Sequence, residues 1–162
     1  MAEYDLAFSE KLADTARLVA DDGIDSIDAK KTVLYLSLLS SEISLKALLE
    51  RAGQPLTSIK ARSHNLKALL EDLDRCEVQA EIAPGKLKWC SASRLRAVTI
   101  DPNFANATVG KLLEAEKDGA SKYPNQVRYG NCLKHYPPAV VSKMASEIVV
   151  WAKQHWNNIR VS

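Results

Sequence analysis

The sequence predicts an all-α protein, an up-and-down bundle of four to five main helices with an insertion around residues 76–103. Three observations predict it. Apolar residues recur at helical spacing through most of the chain. Residues 31–53 are apolar on most sides, as suits a helix buried among several others. Glycine and proline number only six each, which argues against a loop-rich or barrel-like chain.

The first helix is expected from Ala2 to about Asp22. Tyr4, Phe8, Leu12, Ala16 and Val19 fall near one stripe, with Asp5, Glu10, Asp14 and Arg17 mostly off it. Asp21-Asp22-Gly23 signals a turn, and Asp25, Ser26 or Asp28 can cap the central helix after it. The short link predicts antiparallel packing of the first two helices. The central helix ends at Gly53, a residue suited to a left-handed C-cap. On it, Ser37, Ser40, Ser41 and Ser44 share one face, where small side chains let a neighbouring helix approach. Glu42, Lys46 and Glu50 stand four apart, the spacing at which opposite charges meet.

Residues 53–62 read as a loop and Ser63 as the N-cap of a third helix, with Leu66, Leu69, Leu70 and Leu73 on its face. Residues 76–103 carry the weakest pattern. Pro84-Gly85 is a break, and a helix over Lys86–Val98 would carry Leu87, Cys90 and Leu95. Phe104–Asp118 predicts a short helix, 119–138 a loop, and Pro138 opens a last helix whose apolar face runs to Ile159. With no internal repeat and no linker, residues 1–162 form a single domain.

Composition narrows the function classes. The 46% hydrophobic and 26% charged content is that of a globular protein. No apolar run approaches the roughly 20 residues of a membrane span, and Met-Ala-Glu-Tyr-Asp lacks the features of a signal peptide. The three cysteines have neither disulfide nor zinc-ribbon spacing, so the expected setting is cytoplasmic. The net charge of +2 hides an asymmetry: residues 1–28 hold eight acids and two bases, residues 84–162 five acids and twelve bases. The basic half suits either a polyanionic partner or a solvated helical surface. His64, His135 and His155 lack helical pairing with one another or with a cysteine, so no metal or other cofactor is expected.

Three stretches together resemble the HEPN family of helical prokaryotic toxins, defence proteins and nucleotidyltransferase partners. They are Glu42-Ile-Ser-Leu-Lys-Ala-Leu-Leu-Glu-Arg-Ala-Gly53, Ser63-His64-Asn65-Leu66, and Tyr123-Pro-Asn-Gln-Val-Arg128-Tyr129-Gly130. Their order and spacing span about residues 30–160. The resemblance implies a HEPN-like bundle that dimerises, with a cleft near the start of the last helix. Many members are metal-independent endoribonucleases, marked by an Arg, four to six residues, then a His. Here six residues separate Arg128 from His135, and Tyr136 comes next.

The chemistry of that pair is coherent. A histidine titrating near neutrality can take the 2′-OH proton, and arginine can grip phosphate oxygens through two N–H groups. Lys134 and Lys122 would add phosphate contacts, and Tyr129 or Tyr136 would stack on an unpaired base. Glu42, on a buried helix among serines, is expected to orient Arg128 as an ion-pair partner. His64 is read as a helix-start residue bonding its neighbours in preference to a second base. His155, beside Trp151 on the last helix, is read as a core or interface residue. Two further readings stand beside the dimeric toxin or defence ribonuclease. One is a non-catalytic module binding RNA, a nucleotide or a nucleotidyltransferase-type antitoxin. The other is a structural dimer that recognises a protein.

Overall fold

The computed structural model describes residues 2–104, 106–115, 123–128 and 136–162, except for the side chains of Ala115, Asn125, Gln126 and Arg128. The chain is mixed α/β, with two antiparallel sheets, which corrects the all-α bundle expected from the sequence.

Helix α1 (Leu6–Asp22) is capped by Asp5, whose carboxylate accepts from the Ala7 and Phe8 amides. Helix α2 (Ile27–Ala52) is capped by Ser26 and ends at Gly53, where φ of +100° forms a left-handed C-cap. The serine face of α2 is where α1 crosses. Ser40 Oγ donates to the Ser9 carbonyl at 2.7 Å and Ser44 Oγ to Ser9 Oγ at 2.9 Å. Helix α3 (Leu56–Ala61) occupies the stretch expected to be loop. Helix α4 (Leu66–Leu73) is capped by Asn65 rather than Ser63, its side chain accepting from the Ala68 amide.

The expected helix over Lys86–Val98 is absent. Strand β1 (Cys76–Ala83) and strand β2 (Lys86–Ser91) form a hairpin around Pro84-Gly85, where Gly85 takes φ of +75°. A 3₁₀ turn comes next, over Ala92–Ala97. The signal for β1 is its alternation: Cys76 and Val78 are buried, while Glu77 and Gln79 between them are only partly covered. Strands β3 (Thr99–Asp101) and β4 (Ala107–Thr108) pair antiparallel and lead into α5 (Val109–Ala115), shorter than the helix expected from Phe104. Helix α6 (Tyr123–Arg128) lies inside the expected 119–138 loop.

Helix α7 (Pro138–His155) starts with proline in its first turn, as expected, but stops short of the predicted end. Strand β5 (Ile159–Val161) then pairs with β1, giving sheet order β2-β1-β5. Helices α1, α2 and α7 pack against one another, and α4 and α6 also pack on α2. Leu34, Leu38, Leu45, Leu48 and Leu49 of α2 share a core with the four α4 leucines and Val141, Met144 and Ile148 of α7. Each such leucine contributes about 1.5–3 kcal/mol by leaving water. By length and hydropathy α2 would suffice to cross a membrane, but 72% of its most apolar stretch is buried within the protein.

Candidate functional site

A buried carboxylate joins three distant parts of the chain. Glu42, mid-way along α2, is only 5% exposed. Its Oε1 accepts from Lys46 Nζ at 2.8 Å, one helical turn on. Its Oε2 accepts from the Tyr123 hydroxyl at 2.5 Å and lies 2.9 Å from His64 Nδ1. Burial alone would push the Glu42 carboxyl up. The hydrogen bonds from Lys46, Tyr123 and His64 outweigh it and hold the group ionised, below its ordinary 4.5. The Tyr123 phenol moves the other way. Burial, the Glu42 charge and the bond to it all raise its pKa, so it stays protonated and donates.

These directions settle the histidine tautomer. A carboxylate oxygen only accepts, so the proton sits on His64 Nδ1. The side chain is 52% exposed, against 6% for Glu42, so the imidazole bridges solvent and the buried charge. Ser63, just before it, adopts φ of +50°, a left-handed conformation that costs a non-glycine residue about 1 kcal/mol. The His64 ring meets Tyr123 edge-on at 5.7 Å, and Tyr35 meets Tyr123 at 6.0 Å from another side.

The N-terminal segment reaches the network at Lys46. Glu50 accepts from the Glu3 and Tyr4 amides at 2.8 and 2.9 Å, which draws the Tyr4 ring to 5.5 Å from Lys46 Nζ. Glu50 thus pins this segment rather than pairing with Lys46. Beside the network, Lys31, Thr32, Tyr35 and Leu36 of α2 and Val127 of α6 line a groove of about 320 Å³. A separate cleft of about 390 Å³ between α1, β3 and α7 includes the Lys143–Asp101 ion pair at 2.7 Å and none of the candidate residues.

Among the residues singled out from sequence, Glu42 is at the centre of the network. Arg128 closes α6, the helix that Tyr123 begins, but its side chain is outside the described atoms, and so is the expected Glu42–Arg128 pairing. Lys122, Tyr129, Lys134 and His135 lie outside the described residues. Tyr136 is half-buried, packed against the core with its ring 5.5 Å from Phe104. His155 lies 4.3 Å from Trp151, and burial, followed by the nearby Arg94, lowers its pKa. Sequence reasoning underweights His64 and Tyr123: each lies in one of the three HEPN-like stretches, yet only the fold unites them with Glu42. Comparison of the chain with family models, curated proteins and solved structures found no match.

Proposed function

We propose that this protein is a HEPN-like, metal-independent endoribonuclease of the toxin or defence type, acting as a dimer. Arg128 holds the scissile phosphate through its guanidinium fork, and His135 takes the proton from the attacking 2′-OH. Lys122 and Lys134 add charge along the backbone, and Tyr129 or Tyr136 stacks on a base. A nucleotidyltransferase-type partner and a cytoplasmic setting belong to the same reading.

One observation carries it. The three stretches on which the resemblance rests each supply one residue to a single hydrogen-bonded network: Glu42, His64 and Tyr123. Surface motifs that matched by chance would have no reason to meet at a buried charge. The network fixes the start of α6, and so supports a defined position for Arg128 at its end. The adjoining groove offers an ammonium at Lys31 and an aromatic ring at Tyr35, a pairing that suits a single-stranded polyanion.

The test is cleavage of single-stranded RNA in excess chelator. Arg128→Ala and His135→Ala are each expected to abolish cleavage while leaving the melting temperature unchanged. Cleavage by both variants at the parental rate would overturn the assignment. Salt-dependent RNA binding with no cleavage by any form would establish a non-catalytic binding module instead.

A further inference from the structure

We infer that the cleft between α1, β3 and α7 binds an aliphatic diamine, with Asp21 and Ser142 holding one ammonium group and Glu147 and Ser146 the other. The cleft is separate from the Glu42 network, so this site stands whether or not the chain cleaves RNA.

The cleft's volume of about 390 Å³ falls within the range of small-molecule sites, roughly 300–1,000 Å³. The charges on its walls leave an excess of carboxylate. Lys143 and Arg17 also line it, but each already has a partner: Asp101 at 2.7 Å and Asp14 at 3.3 Å. Lys143 stands four residues before Glu147 and Arg17 four before Asp21, the spacing at which opposite charges can meet, yet both turn elsewhere. Asp21 and the half-buried Glu147 are left without a hydrogen-bond or ion-pair partner among the described residues. Asp21 also belongs to the acidic first segment, whose eight acids against two bases draw cations. Among the described residues no three acidic, histidine or cysteine side chains come together as a metal ion would require, so the cation that fits is an organic one.

A buried hydroxyl points the same way. Ser142 is only 3% exposed, and its side chain makes no hydrogen bond among the described residues. The Thr32 and Ser41 hydroxyls, also on a helix, each bond back to the carbonyl one turn earlier. Ser142 Oγ does not. Unlike Ser37 Oγ it is not sealed from solvent, and the opening that Ser142 lines is this cleft. Its lone pairs are therefore open to an incoming donor, and an ammonium has three N–H groups, enough for a carboxylate and a hydroxyl together. The spacing selects a diamine. Lys153 pairs with Glu10 at 3.1 Å, and Asp21 and Ala139 line the cleft towards the opposite ends of their helices, so α1 and α7 run antiparallel. Asp21 comes eleven residues after Glu10 and Ser142 eleven before Lys153, which sets the two level. Glu147 is five residues along from Ser142, roughly 7–8 Å of helix rise, about the reach between the nitrogens of an extended putrescine-length chain. Ala20, Ile100 and Ala139 give its methylenes an apolar wall.

The test is calorimetric titration of putrescine into the full-length protein at physiological ionic strength, which screens general attraction to surface acids. Saturable one-to-one binding is expected, weakened about tenfold or more by Glu147→Gln and by Ser142→Ala, since each removes one charge-assisted contact. Alanine suits a helix and glutamine keeps the shape of glutamate, so both variants should melt at the wild-type temperature. Butylamine, with a single ammonium group, should bind at least about tenfold more weakly than putrescine. Asp25→Asn removes an acid of the same segment that does not line the cleft, and should leave the affinity unchanged. Absence of saturable binding by the folded wild type would overturn the site. Wild-type affinity in both cleft variants would overturn it too, because putrescine would then be held elsewhere. An equal loss in Asp25→Asn, or butylamine binding as tightly as putrescine, would reduce the effect to attraction by the acidic segment and overturn the site as well.

Discussion

Glu42 sits where an ionised side chain is costly, and it is retained by three donors. Removing one member of a buried ion pair typically costs about 3–5 kcal/mol, because the other charge is left without its partner. Glu42→Gln is therefore expected to destabilise the protein by about that amount in urea unfolding, with Lys46 left charged beneath Tyr4. The same residue sets an acid dependence. Its folded-state pKa is below the ordinary 4.5, so the stability contributed by the carboxylate is complete above that value. It is lost as the pH falls through the lower, folded-state pKa. Below about pH 4.5 the wild type should lose stability more steeply than Glu42→Gln, and parallel curves would show that Glu42 is not held ionised. Glu42 is legible in the sequence as a charge on an otherwise apolar helix. Its partners are not, because His64 and Tyr123 lie 22 and 81 residues away and no local pattern links them.

At the scale of elements, the helices with an apolar period (α1, α4 and α7), and α2 with its apolar surface on most sides, stand close to where the sequence puts them. Gly53 ends α2 at φ of +100° with open space around the position of a Cβ. Gly53→Ala meets no clash, so its cost is that of the left-handed backbone alone, about 1–2 kcal/mol. A lower urea midpoint with an unchanged m-value is the expected result, whereas an unchanged midpoint would mean that the cap relaxes to another conformation. Strand β1 carries a signal that a helical reading passes over. Cys76, Val78, Ala80 and Ile82 alternate with Glu77, Gln79 and Glu81, a period of two that predicts a half-buried strand. Pro84-Gly85 reads as a break ahead of a helix but is the turn of a hairpin. Helices α3 and α6 have six residues each, too few for a helical period to show.

At the scale of the molecule, the sheet ties the chain's end to its middle. Ile159 pairs with Val78, and Arg160 both ion-pairs with Glu77 at 2.9 Å and stacks over Trp89 at 3.8 Å. A long-range closure of this kind leaves no trace in local periodicity, so the end of the chain reads as more helix. The sheet adds a layer beside the helices without displacing α2, where the turn before α4 and the start of α6 still meet at Glu42. The activity proposed for this protein is RNA cleavage without a metal ion. The measurement that tests it most directly is incubation of the purified wild-type protein with single-stranded RNA in excess chelator, with the ends of the products identified. The expected result is cleavage to 2′,3′-cyclic phosphate and 5′-hydroxyl ends. Intact RNA after incubation with the folded protein, or 5′-phosphate ends, would contradict it.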